Sequence, residues 1–196
     1  MVTKFFHSFG KAVFLFPLLT SVALSSAVAK EESSQYQELE WTQLMPEDDL
    51  EALMNPPDYL AEIQDGSQQD SLDAFGEKEF SSDKAQRFQE ALTSTTVIEE
   101  FANKSIRIPG FVVPLATTED QRVTEFFIVP YFGACLHMPP PPPNQIIYAS
   151  VKEGIEIRSL YEPLWFEGLL TIEMTKNATG ASAYRLKVDN FFPYDD

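Results

Sequence analysis

SIRIPGFVVPL, Ser105–Leu115, decides the fold of this 196-residue chain. Its Val- and Ile-rich alternation reads as a strand, and after a polar TTEDQR turn at 117–122 the run VTEFFIVPYF at 123–132 reads as a second. Three more runs share this texture: NQIIYASV at 144–151, LWFEGLLTIEM at 164–174 and AYRLKVDNFF at 183–192. The turn-prone pieces KEG (Lys152–Gly154) and TKNATGAS (Thr175–Ser182) punctuate them. Five strands, with Gly110 and Gly168 where a strand can bend, predict a mainly β domain over 104–196. The expected form is a small five-stranded antiparallel barrel, OB-like, of the oligosaccharide- or oligonucleotide-binding type, with a β-sandwich as the alternative.

Upstream the texture differs. Residues 30–103 are acidic and rich in Gln and Ser, and carry two short helical patterns. In PEDDLEALM, Pro46 stands at an early helical position, acids fill the first turn, and Leu50, Leu53 and Met54 share a face. In DKAQRFQEAL, Ala85, Phe88 and Leu92 recur at helical spacing behind Ser82, an N-cap residue, and Asp83. Between them, IQDGSQQDSLDAFGEKEFSSD (63–83) reads as a loose, partly mobile connection. This half decorates or covers the barrel.

Residues 1–29 read as a signal peptide. Lys4 and Lys11 precede an apolar stretch from Ala12 to Leu24, and Ala27-Val28-Ala29 supplies an A-x-A cleavage site. The stretch is shorter than the roughly 20 residues of a spanning helix and is interrupted by Pro17, so an exported, periplasmic protein with no direct membrane span is expected. No cysteine stands at the cleavage point to carry a lipid anchor. Cleavage removes two lysines and takes the formal charge from −16 to −18. Nucleic acid is thereby excluded as a partner, because phosphate neutralisation needs a basic stripe that this sequence lacks. Anionic lipid surfaces are disfavoured for the same reason.

GACLHMPPPPPNQ, Gly133–Gln145, holds the chain's single cysteine. On an extended backbone Cys135 and His137 face the same way and can share a ligand. The five prolines Pro139, Pro140, Pro141, Pro142 and Pro143 predict a stiff polyproline II rod, while Gly133 permits a tight turn before it. A thiolate and an imidazole suit Zn2+ or another divalent transition metal. His137 is the only histidine left after cleavage, so further ligands must be carboxylates, water or a second subunit. Asn144 and Gln145 are expected to orient the loop by hydrogen bonds. Three other roles compete. Cys135 and His137 make a thiol enzyme in the least favoured reading, the proline rod docks a partner's aromatic groove in another, and a Cys135 disulfide links a homodimer in the third. The bland alternatives are a small buried thiol and a rigid loop packed on Tyr131 and Phe132.

Other features read as structure. Asn177-Ala178-Thr179 is a formal glycosylation acceptor that fits a turn better, and Leu164-Trp165-Phe166 fits a core strand. Glu99-Glu100, Glu119-Asp120 and Asp195-Asp196 read as solvent-facing charges.

RIPGFVVPL (107–115), EFFIVPYFGACLHMPPPPPNQIIY (125–148) and GLLTIE (168–173) together resemble an exported bacterial family, domain of unknown function 3299, in order over roughly 41–192. The resemblance carries over to Gly133, Cys135, His137, Pro139–Pro143, Asn144 and Gln145. It implies an envelope protein, in some members associated with ATP-driven (ABC-type) transporters including metal-uptake systems. The expectation is therefore a non-enzymatic periplasmic binding or accessory protein, handling zinc beside such a transporter or envelope complex. A metal-free interaction module is the alternative.

Overall fold

The structure is a computed structural model that describes residues 35–58, 82–133 and 140–194. The expected signal peptide, nearly all of the 63–83 connection and the terminal Asp195-Asp196 lie outside the described residues. Among the described residues no helix is long and apolar enough to cross a membrane.

Among the described residues six strands form: β1 (Gln37–Glu38), β2 (Lys104–Thr117), β3 (Val123–Val129), β4 (Ile147–Ile155), β5 (Leu164–Lys176) and β6 (Ala181–Pro193). Strands β2, β3, β4, β6 and β5 neighbour one another in that order, and β5 pairs again with β2 to close a five-stranded OB-like barrel. Closure is possible because β2 changes partner along its length. Its first half, from Lys104 to Gly110, pairs with β5, and its second, from Phe111, pairs with β3. The short β1 was not legible in the sequence and adds in parallel to β2 at Ile106 and Arg107.

Two details differ from the sequence expectation. The barrel is mixed, not wholly antiparallel, because β4 and β6 pair in parallel. Two chain reversals return β6 to the direction of β4, and β5 lies beyond β6 against β2, so the parallel strands become neighbours. The KEG stretch does not end β4. Instead the register against β3 jumps between Ile155 and Ser150, a bulge in which Gly154 has φ +66°. That left-handed backbone suits glycine. The Arg122 guanidinium donates to the Glu153 and Gly154 carbonyls at 2.9 and 2.6 Å, which fixes the bulge.

Alternation along β2 places Ile106, Ile108 and Val112 inside, and β3 adds Phe126 and Ile128. Phe126 and Phe166 meet in the core with centroids 5.8 Å apart. Of the apolar run Leu164-Trp165-Phe166, only Phe166 is fully buried, because alternation turns Trp165 outward. The opposite face of β3 is buried too, as Phe127 and Val129 pack with Ile146 and Tyr148.

The N-terminal half joins this core. Leu39 and Leu44 are buried within the barrel cluster, a placement that stabilises by roughly 1.5–3 kcal/mol per side chain. The Trp41 indole N–H donates to the Pro109 carbonyl at 2.7 Å, a β2 group facing away from the ladder. Helix α1 (Glu47–Met54) and helix α2 (Asp83–Leu92) pack together beside the barrel. Helix α2 begins as predicted, with the Ser82 side chain accepting from the Ala85 N–H at 3.2 Å, and it buries Ala85 and Phe88. In α1, Pro46 is the residue before the first helical position, and three acids follow it in the first turn, where the helix dipole favours them. Its buried stripe is rotated from the expected one. Asp49 is buried, Leu50 and Leu53 are half-buried, and Met54 is 71 % exposed. The Arg87 guanidinium of α2 holds Asp49 inward at 2.5 Å, which turns Met54 to solvent.

Candidate binding site

The site grows from the strand end at Pro130. Beyond it Gly133 has φ +76°, a left-handed turn that a side chain would strain by about 1–2 kcal/mol. Ala134–Pro139 lie outside the described residues, and with them Cys135, His137 and Pro139. The chain is described again from Pro140. Pro142 has φ −64° and ψ 157°, polyproline II geometry, and a single 3-10 turn then opens at Pro143 and ends at Gln145. Pro143 therefore closes the rod and does not extend it. Pro141 and Pro142 are buried, so these two rings face the protein's interior and offer no exposed docking rod.

Asn144 and Gln145 anchor the turn. The Asn144 side chain is fully buried, and its amide donates to the Thr96 carbonyl at 3.0 Å, with Asp49 Oδ2 and Ser94 Oγ each at 3.4 Å. The Gln145 amide donates to the Trp41 carbonyl at 2.8 Å. Both side chains thus tie the proline segment to the N-terminal half. Asp49 completes the network through Arg87, whose guanidinium also reaches the exposed Asp48 at 3.1 Å. The hydrogen bond that Arg87 donates to Asp49 is the first cause holding the Arg87 pKa above its ordinary range.

This bracing leaves an apolar cavity of about 380 Å³ between helices and barrel. Leu50 and Leu53 of α1 and Phe88 and Leu92 of α2 make one wall. Pro140–Pro142 make another, Pro130 and Tyr131 a third, and Met45 and Gln145 complete it. The volume lies in the range of small-ligand sites. Tyr131 and Pro140, which flank the Ala134–Pro139 segment, are both in its lining. The arrangement can receive an apolar group and offers it few polar partners.

Sequence reasoning singled out Gly133, Pro140–Pro143, Asn144 and Gln145, and the structure brings Pro140–Pro142 and Gln145 together at this cavity. It missed Asp49, Arg87, Phe88 and Met45 as parts of one assembly. Only the pairing of two helices separated along the chain by residues 55–82 creates it, and no local motif marks that pairing. Among the described residues, no group of three or more His, Cys, Asp or Glu side chains is placed to hold a metal ion. The sequon Asn177 forms a turn, its Oδ1 accepting from the Thr179 and Gly180 N–H groups at 2.8 and 3.1 Å.

No curated protein matches the chain. Among solved structures it is similar to a crystal structure of a DUF3299 family protein from Pseudomonas aeruginosa PAO1. The two share 32 % identity with a TM-score of 0.59, over 82 % of this chain and 97 % of that one. The family profile described as protein of unknown function (DUF3299) matches residues 41–193, which takes in the barrel, both helices and the proline turn, and the chain belongs to that family.

Proposed function

We propose that this chain is an exported, non-catalytic binding protein, and that the cavity between α1, α2 and Pro140–Pro142 receives an apolar side chain of a partner protein. The observation that carries the reading is the cavity itself. Its walls come from four separate stretches of chain and are tied by hydrogen bonds from the buried residues Asn144 and Gln145, so its shape is braced by the chain itself. Glu47, Asp48 and Glu51 of α1 are exposed beside the apolar wall, and the chain as a whole is strongly acidic. A partner segment with an apolar anchor and basic flanks is the complementary chemistry. An envelope assembly containing an ATP-driven transporter is the first place to look, given what the family resemblance implies. A photocrosslinking amino acid at Leu53, compared with one at the exposed Lys187, tests this in the native envelope. The reading expects one discrete adduct from position 53 alone. Equal capture from both positions, or none from either, would sink it.

A second reading places a divalent metal, zinc in the first instance, on Cys135 and His137. Its support is that Tyr131 and Pro140, on either side of their segment, are fixed at the cavity wall. The described residues do not complete a donor set, so the remaining ligands would come from elsewhere. Elemental analysis of protein purified without chelators, with Cys135→Ser and His137→Ala variants, separates the readings. Stoichiometric metal lost in both variants supports the metal centre, and its absence from the parent protein removes it.

A further inference from the structure

A second cavity, of about 520 Å³, lies away from the helices, between the β4–β5 connection and the end of β6. One wall is aromatic and braced from behind. Tyr194 stacks on Trp165 with centroids 5.0 Å apart, and the Arg107 guanidinium lies 4.1 Å from the Trp165 ring and 5.3 Å from that of Phe192. Arg107 makes no ion pair among the described residues, and its Nε is buried without a hydrogen-bond partner. Its role here is to hold two rings by cation–π contact. The Tyr194 N–H donates to the Pro163 carbonyl at 3.2 Å, which ties this wall to the facing connection. Phe192 and Tyr194 both line the cavity, and Tyr194 remains 39 % exposed.

The other wall is charged and balanced. Glu156, Arg158 and Glu162 of the connection line it together with Arg122. The carboxylates and Arg158 are exposed and engage no partner among the described residues, whereas Arg122 is committed to two backbone carbonyls. Two cations against two anions give no net charge, so an anion meets the carboxylates and a cation meets the guanidinium groups. A purely apolar molecule would strip water from charges and return no hydrogen bonds. An uncharged polyol with an apolar C–H face answers both walls. Its ring stacks on the electron-rich aromatic faces, and its vicinal hydroxyls pair in twos with planar carboxylate and guanidinium groups.

The geometry points to a saccharide-binding site here, with room for one or two sugar rings. It is independent of the apolar cavity and takes a different class of ligand. Backbone amide NMR of the full chain, titrated with cellobiose and with N,N′-diacetylchitobiose, tests it. Sodium acetate and glycine serve as the charged controls. The expected result is saturable shifts confined to residues 156–162 and 191–194, with a Kd on the order of 1 mM for one of the sugars. Arg158→Ala, on an exposed connection, and Tyr194→Ala, at the chain's end, each weaken it about tenfold. No saturable shift from either sugar overturns the proposal. So do sugar shifts that survive both substitutions, and so does saturable binding of acetate or glycine at this cavity where the sugars are silent.

Discussion

The Tyr184 hydroxyl, buried at the barrel's core, donates to the Leu44 carbonyl at 2.9 Å. The same oxygen accepts from the Ile98 N–H at 2.7 Å. One side chain of β6 thus closes two backbone groups of the N-terminal half, one before α1 and one after α2. Tyr184→Phe removes the partner of both groups while changing the shape little. It is expected to destabilise the protein by about 1–3 kcal/mol, read as a lower urea midpoint with an unchanged slope.

The same residue sets an alkaline limit. Burial, the first cause, raises the Tyr184 pKa above the ordinary 10.0. The folded state therefore holds this proton more tightly than the unfolded state. The stabilisation is complete below pH about 10 and is lost as pH rises through the folded pKa. The unfolding midpoint should fall above pH about 10, and Tyr184→Phe should flatten that fall. An equal slope in the variant would assign the alkaline limit to other groups.

Arg87 meets two aspartates in different surroundings. The Asp49 side chain is 7 % exposed and that of Asp48 is 75 % exposed. Water screens the outer pair, so a double-mutant cycle for Asp48 and Arg87 is expected to give at most about 1 kcal/mol. The inner pair, with Arg87 itself about one-third exposed, should couple by more than that and by less than the roughly 3–5 kcal/mol lost on breaking a fully buried pair. Comparable couplings would mean that Asp49 does not hold α1 against α2.

The barrel was legible in SIRIPGFVVPL and the four runs after it because a strand with one buried face writes a period-two pattern into its own sequence. Residues that alternate inward, such as Ile106, Ile108 and Val112, are fixed by that pattern alone. Strand order carries no such local trace, so the parallel pairing of β4 with β6 was not readable. The KEG stretch misled for a related reason: a glycine at positive φ serves a bulge as readily as a turn, and only Arg122, 31 and 32 residues before the carbonyls it holds, decides between them. At the site, GACLHMPPPPPNQ contains Asn144 and Gln145, but nothing local in it names what they bond to. Their partners Thr96 and Trp41 lie 48 and 104 residues away in the chain. The inward turn of Asp49 was hidden because an acid in the first turn of a helix ordinarily faces solvent.

The central claim is that the cavity beside Pro140–Pro142 takes an apolar group. Titration with the neutral apolar fluorophore N-phenyl-1-naphthylamine tests it most directly, on the parent protein and on Leu53→Trp, which fills the cavity from α1. The unfolding midpoint of each is measured alongside, so that loss of folding is not mistaken for loss of binding. The account predicts saturable emission at one equivalent in the parent protein, abolished in a folded Leu53→Trp variant. Binding that persists in the filled variant, or no saturable binding in the parent protein, would contradict it.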